Sequence, residues 1–304
     1  MDLRSKIILI YGPTASGKSV FAIKLAQKIN GEIINADSMQ IYKEIRILSS
    51  RPSLIDEKKI KHHLYGFKSV KNNFSSGQWL KLVTKKIKEI LKRKRTPIIV
   101  GGTGLYFKIL IDGLVKIPKI PIKFRNKIRK KQEKDGQVEF YKKLIKIDPL
   151  SKKNISPQDT QRSIRAYEVK KYTNKSLYKW IENTKPNFDQ TLFKKFFLNP
   201  SRECLIDKIN KRSNQMFNRG VKKEVLNFLK LKVKKNASSH KIIGIKEISN
   251  YLNRTLSLNE AKELIKIKTR QYAKRQFTWA RGKMTSWEII NTSNHKEILK
   301  KVVN

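Results

Sequence analysis

Gly12-Pro-Thr-Ala-Ser-Gly17-Lys18-Ser19 dictates much of the fold of this 304-residue chain. It fits G-x-x-x-x-G-K-[ST]. An apolar run, Ile7–Tyr11, precedes it, and a helical pattern closed by Gly31 follows. Gly12 and Gly17 let the backbone turn tightly, so its N–H groups point inward. The following helix adds its positive N-terminal end. Lys18 is placed to reach terminal phosphates and Ser19 to hold Mg²⁺. The motif is nucleotide-binding, and ATP-binding at the level of the motif. It does not say which molecule carries the phosphates.

Residues 1–115 continue as alternating strands and helices. A strand, "GEIINADS", leads to Asp37. A helix follows, with apolar positions Leu80, Val83, Ile87 and Leu91, and then a strand, "TPIIVGGTG". This alternation predicts a P-loop NTPase-like α/β fold, a parallel sheet flanked by helices. Ligands of such sheets sit at the carboxyl ends of the strands. Gly12–Ser19, Asp37–Gln40 and Gly101–Thr103 should therefore face one crevice. Residues 116–199 are proline-punctuated and then basic and helical, and are expected to form a mostly helical insertion domain. Phe193–Pro200 within that stretch resembles an apolar strand returning to the sheet. Residues 200–304 would complete the core with C-terminal helices. The last long helix starts at the capping-box pattern Ser257–Glu260.

Each remaining motif has two readings. Asp37 is either a base or hydrogen-bond acceptor for substrate, with Ser38 and Gln40 as polar neighbours, or the N-cap of a short helix. Gly101-Gly102-Thr103 is either a close approach to ligand or an ordinary strand-to-helix turn. No Asp ends that strand, which argues against a phosphate-transferring motor. Lys262, Lys266, Arg270 and Lys274 form a basic stripe that runs into "AKRQFTWARGK", where Phe277 and Trp279 lie among Lys274, Arg275, Arg281 and Lys283. Basic residues with interleaved aromatics suit unpaired nucleic acid; a solvated face over core aromatics is the plainer reading. Gln161, Arg162 and Arg165 cluster similarly on an insertion helix or simply face solvent.

Charge favours the nucleic-acid side of these choices. Lys and Arg number 70 against 24 acidic residues, a net charge of +46 that attracts polyanions, although a Lys-, Asn- and Ile-rich chain also fits codon bias. No apolar run approaches the roughly 20 residues of a membrane span, and the first residues show no signal-peptide layout. One cysteine, Cys204, excludes an internal disulfide and fits a cytoplasmic protein. With a single cysteine, the pair His62-His63 reads as structural rather than zinc-binding.

In order, "GPTASGKS", "NADSMQIY", "HHL", "PIIVGGTGLY", "QRSIRAYEV" and "AKRQFTWAR" span Gly12 to Arg281. This series resembles the bacterial tRNA dimethylallyltransferases, also called tRNA isopentenyltransferases. The resemblance implies transfer of a dimethylallyl group from its diphosphate to the exocyclic amine of the adenosine just 3′ of the anticodon, by a monomer. It implies that Gly12, Thr14, Ala15, Ser16, Gly17, Lys18 and Ser19 hold the diphosphate, with Mg²⁺ at Ser19. Asp37 becomes the general base, and Ser38, Met39 and Gln40 line the adenine site. Thr103 lies in the channel between the substrates, and Arg212 near the diphosphate. Arg125, Gln161, Arg162 and Arg165 contact the anticodon stem-loop from the insertion. Lys241, Gly244, Lys246, Lys274, Arg275, Gln276, Phe277, Trp279 and Arg281 contact tRNA from the core.

Two segments depart from the family pattern. Leu48–Ser53, "LSSRPS", stands where G-T-A-K-P is usual, with Arg51 in place of Lys, and Ile245 replaces a usual Tyr. Two rivals stand beside the transferase: a P-loop kinase using Asp37 as base, and an ATP-driven or non-enzymatic RNA-binding protein. The kinase leaves the basic insertion and final helix unexplained, and the motor lacks its second acid.

Overall fold

The structure, a computed structural model, describes residues 6–234, 236–291 and 299. They group into two compact units, Met1–Ile111 with Phe188–Asn304, and Asp112–Asn187. In chain order the first unit opens with β1 (Ile7–Tyr11), α1 (Lys18–Lys28), β2 (Gly31–Asn35), α2 (Leu54–Lys59), β3 (His62–His63), α3 (Ser76–Lys92), β4 (Thr96–Gly101) and α4 (Gly104–Asp112). The second unit holds α5 (Ile122–Ile147), α6 (Ser151–Asn154), α7 (Thr160–Thr173) and α8 (Leu177–Glu182). The first unit resumes with β5 (Phe193–Leu198), α9 (Arg202–Asn218), α10 (Val221–Lys230), α11 (Ile245–Leu252), α12 (Leu258–Lys283) and β6 (Glu288–Ile290).

Six strands form one sheet in the order β3-β2-β4-β1-β5-β6, all pairings parallel. Strands covered on both faces read as unbroken apolar runs, and β1, β2 and β4 are buried at every position. The register sets Tyr11 opposite Gly101 and Asn35 opposite Val100. The carboxyl ends of β1, β2 and β4 thus lie on one edge, as the α/β pattern requires. Helix α1 packs Phe21, Ala22, Leu25 and Ala26 onto Ile8, Ile10, Ile98 and Val100. A second cluster joins the loop after β2, through Ile41, Tyr42, Ile45 and Leu48, to Val225, Phe228, Ile245 and Ile265 of the C-terminal helices. Capping boxes start α3 at Ser75 and α12 at Ser257.

The helical unit has its own core, in which Ile128, Phe140, Leu144, Ile164 and Tyr167 meet. Helix α5 is broken at Gly136, whose φ of 72° no helix adopts. The boundary expected at residue 199 is corrected. Phe193–Leu198 pairs with β1 from Ile7 to Tyr11, so the chain rejoins the core unit by Phe188. The physical reason lies in this segment's own burial: β5 is apolar because it fills the sheet beside β1. Among the described residues no helix is long and apolar enough to cross a membrane.

Candidate active site

The loop after β1 is a cradle closed by its own lysine. Ala15 and Gly17 take positive φ values of 65° and 87°, which turn the backbone inward. The Ser16 N–H donates to Pro13 O at 3.2 Å. Lys18, 9% exposed, folds back so that its Nζ donates to Pro13 O at 3.1 Å. Ser16 is 2% exposed, and its Oγ has no partner. A buried hydroxyl left unpaired is costly, so this one is placed for a ligand oxygen. Ser19 follows Lys18 in the first turn of α1 and is half-buried.

Arg212 reaches the cradle from α9. Its Nη2 donates to Thr14 Oγ1 at 2.8 Å, while its Nε is buried without a partner. Burial pulls the Lys18 ammonium down to about 8; the Asp37 carboxylate opposes this drop and Arg212 adds to it. Burial likewise lowers the Arg212 guanidinium to about 10, again against Asp37. Asp37 therefore shares one electrostatic environment with both cations.

Asp37 sits two residues beyond β2 on a braced loop. Asn35, fully buried, accepts the Asp37 N–H on Oδ1 at 2.8 Å and donates from Nδ2 to Asp37 O at 2.9 Å and Leu64 O at 3.0 Å. Asp37 Oδ1 accepts the Met39 N–H at 2.9 Å. This is an Asx turn rather than a helix cap, since the next helix starts at Leu54. Thr103 ties the neighbouring turn to this loop. Its Oγ1 accepts the Ser38 N–H at 2.9 Å, and its own N–H donates to Ala36 O at 3.2 Å. The hydroxyls of Tyr11, Tyr65, Tyr106 and Tyr272 are all pushed up, first by burial and then by the Asp37 charge. Sequence reading missed these tyrosines and Asn35. Only Tyr106 lies in one of the quoted strand-to-helix motifs.

Several expected tRNA contacts are placed otherwise. Gln276 is 5% exposed; its Oε1 accepts the Thr14 N–H at 2.8 Å and its Nε2 donates to Gly102 O at 2.8 Å. Both ends of its amide are used inside the protein, so it is corrected from an RNA contact to an internal brace. Trp279 is half-buried, with its indole N–H packed against Gly104 rather than presented as a free stacking face. Gln40 is buried and donates from Nε2 to Ser49 O at 3.0 Å and Ser50 O at 3.2 Å, which turns that end of the amide toward its own loop. Met39 packs against the second cluster. Gly244 is buried at φ 105°, and a Cβ there would strike Leu48, so packing and backbone shape explain this glycine. Lys241 and Lys246 are exposed.

The basic stripe of α12 does not simply face solvent. Arg270, Lys274 and Arg281, with Arg202 of α9, border a cavity of about 890 Å³ that opens beside Pro13 over apolar Leu205 and Phe277. Arg275 is exposed, over the Tyr272 ring. In the helical unit, Arg125 and Arg165 flank the buried Glu168 at 3.4 and 3.5 Å, and Arg162 pairs with Asp159 at 3.4 Å. Gln161 is exposed.

The departure at Leu48–Ser53 also finds its setting. The Arg51 guanidinium lies over Gly66, where a Cβ would collide with it, and donates to Tyr42 O at 3.2 Å. Glu224 of α10 accepts the N–H groups of Arg46, Ile47 and Leu48 at 2.7, 2.7 and 2.9 Å. The histidines are structural: His63 Nε2 bonds the fully buried Glu32 at 2.6 Å, and His62 Nδ1 bonds Ile60 O at 2.7 Å. No cluster of three or more His, Cys, Asp or Glu that could hold a metal occurs among the described residues.

A glycine-framed cradle with two buried cations after β1, and a carboxylate after β2 on the same edge of a parallel sheet with β4 between them, define a P-loop α/β protein. A family model described as IPP transferase matches residues 40–283. The chain belongs to this family. It is 60% identical over 287 residues to the tRNA dimethylallyltransferase of Pelagibacter ubique (strain HTCC1062), covering 94% of this chain and 92% of that protein. It is 43% identical to the tRNA dimethylallyltransferase of Rickettsia massiliae (strain Mtu5), covering 97% of this chain and 81% of that one. A solved full-length tRNA isopentenylpyrophosphate transferase from Bacillus halodurans is similar at 30% identity with a TM-score of 0.70, covering 98% and 96% of the two chains. A eukaryotic dimethylallyltransferase, solved acting on tRNA, reaches a TM-score of 0.83 at 27% identity, over 98% of this chain and 76% of that one.

Proposed function

We propose that this protein transfers a dimethylallyl group from dimethylallyl diphosphate to the exocyclic amine of the adenosine on the 3′ side of the anticodon in tRNA, giving isopentenyladenosine. The observation that carries the reading is the cradle itself, with a buried unpaired Ser16 hydroxyl, Lys18 folded onto Pro13 O and Arg212 bonded to Thr14, in electrostatic reach of Asp37. The amine nitrogen attacks the carbon bearing the diphosphate, and the carbon–oxygen bond breaks. The electron pair leaves with the diphosphate, and the amine proton passes to Asp37. An aromatic amine is a weak nucleophile, and a base for it is typically worth about 10²–10⁴-fold. Lys18, Arg212, the Ser16 hydroxyl and the loop N–H groups face the charge that grows on the leaving group.

Ser19 and the diphosphate oxygens form a set of hard oxygen donors of the kind Mg²⁺ takes, alongside the unpaired Ser16 hydroxyl. When bound there, Mg²⁺ supplies further neutralisation of the diphosphate. The adenosine must leave the anticodon-loop stack, at a cost of a few kcal/mol. Phosphate contacts from Arg125, Gln161, Arg162, Arg165, Lys241, Lys246, Lys274, Arg275 and Arg281, with Phe277 beside them, offset that cost and make binding salt-dependent. The protein would work in the cytoplasm, as a monomer on one tRNA.

The test incubates the protein with unmodified tRNA, Mg²⁺ and dimethylallyl diphosphate, then digests the RNA and weighs its nucleosides. A dimethylallyl mass gain on one adenosine is expected. No gain on adenosine in any tRNA refutes the proposal.

A further inference from the structure

Two motifs lie far apart in the chain, "GGTG" at 101–104 and "KRQFTW" at 274–279, and they meet side chain to backbone. Gln276 and Trp279, one helical turn apart on α12, point at this turn. A Cβ on Gly102 would strike the Gln276 amide nitrogen, and one on Gly104 would strike the Trp279 indole. The two glycines are small because α12 lies against them.

The Gln276 amide links both halves of the site. Its Oε1 takes the N–H of Thr14 in the cradle, and its Nε2 binds Gly102 O. From there the turn continues through Thr103, which holds Ala36 O and the Ser38 N–H on either side of Asp37. The Gln276 carbonyl is itself fixed by the Tyr11 hydroxyl at 2.8 Å, at the end of the strand that enters the cradle. Arg212 holds the Thr14 side chain while Gln276 holds its backbone.

We infer that Gln276 is a positioning residue that sets the distance between the diphosphate cradle and the Asp37 loop. The inference rests on the transferase reading for its chemistry. One buried amide with both ends bonded, 262 residues away from Thr14 in sequence, fixes the leaving group relative to the base. A misplacement of about 1 Å in such a pair costs about 10²-fold in rate.

The test uses the full chain and three measurements: affinity for inorganic pyrophosphate with Mg²⁺, affinity for unmodified tRNA, and kcat at saturating substrates. For Gln276→Leu, pyrophosphate affinity falls about tenfold through the lost Thr14 bond, and kcat falls about 10²-fold. Affinity for tRNA stays within about twofold, because the amide is not on the RNA side. Gly102→Ala pushes the same amide aside and produces the same pattern. The double variant is no worse than the more damaged single one, since both break one device. If Gln276→Leu fails to fold, Gln276→Met and Gly102→Ala carry the comparison. Loss of tRNA affinity with pyrophosphate affinity and kcat intact would overturn the inference and return Gln276 to the RNA interface. Additive losses in the double variant would overturn it as well. If the wild-type chain adds nothing to tRNA while pyrophosphate affinity still responds to Gln276→Leu, the transferase reading fails and the brace stands.

Discussion

Replacing Asp37 by asparagine separates the carboxylate's charge from its shape. Oδ1 of Asp37 accepts the Met39 N–H at 2.9 Å, a bond that an Asn Oδ1 also makes, and Asn35 holds the backbone on either side. The loop should therefore keep its conformation, and thermal unfolding should shift little. What is lost is the group that takes the amine proton. A general base contributes about 10²–10⁴-fold, equivalent to about 3–5 kcal/mol of barrier. A secondary loss follows in the cradle, because the Asp37 charge opposes the burial that lowers Lys18 to about 8. Without that charge Lys18 falls below this value, and pyrophosphate affinity at pH 8 drops with it. The assay is single-turnover transfer to a tRNA transcript at saturating dimethylallyl diphosphate, beside a separate tRNA-binding titration. The expected result is a fall in turnover of at least 10²-fold with tRNA affinity held within a few-fold. A fall under about tenfold, or a matching loss of tRNA affinity, would refute the base and leave Asp37 as a binding or turn residue.

Three further outcomes check other parts of the structure. Lys18 carries its proton below about pH 8 and gives it up above, so pyrophosphate affinity should decline as pH rises through 8. Calorimetry at pH 8.5 in buffers of different ionisation enthalpy should show proton uptake on binding, and at pH 6.5 almost none; equal uptake at both contradicts the lowered value. At Glu32, burial pushes the carboxyl up, but hydrogen bonds from His63, Arg93 and Arg95 outweigh it and hold the group at about 2, against an ordinary 4.5. Its contribution is present above about pH 4.5 and is lost as pH falls toward 2, so Glu32→Gln should cost on the order of 3 kcal/mol at neutral pH and progressively less in acid, read by chemical denaturation. Gly104→Ala should destabilise by about 1–3 kcal/mol through its clash with Trp279, and Trp279→Phe should relieve it; an unchanged melting temperature in Gly104→Ala would show that the indole is free to move.

The site was legible where its chemistry is local. The cradle needs two glycines, a lysine and a serine within eight residues, and a turn of that kind is written by consecutive backbone conformations. Asp37 could be found from its place after a strand, and the loop shows an Asx turn there in place of a helix cap, with two cations in electrostatic reach. Gln276, Trp279 and Gln40 were misplaced for a common reason. A polar or aromatic residue within a motif reads as a surface contact, and only the tertiary structure reveals that the Gln276 and Gln40 amides bond inside the protein and that Trp279 packs against Gly104. The boundary at 199 falls late because it counts the apolar strand at Phe193–Pro200, although legible, with the helical segment before it, whereas the chain rejoins the core unit by Phe188. The strands β3 and β6, two and three residues long, are too short to carry a period.

The sequence by itself determined the parallel α/β frame, the phosphate cradle and the family. Strand burial, helix capping and glycine-dependent turns are set by neighbours a few residues apart. Tertiary structure alone decided how distant side chains meet in the site. Arg212 reaches Thr14 across 198 residues and Gln276 reaches it across 262, and the Asp37 charge adds to burial in raising four tyrosine hydroxyls from separate parts of the chain. Contacts of that separation leave no periodicity in the chain. They exist because the parallel sheet brings three strand ends to one edge and α12 lies across them.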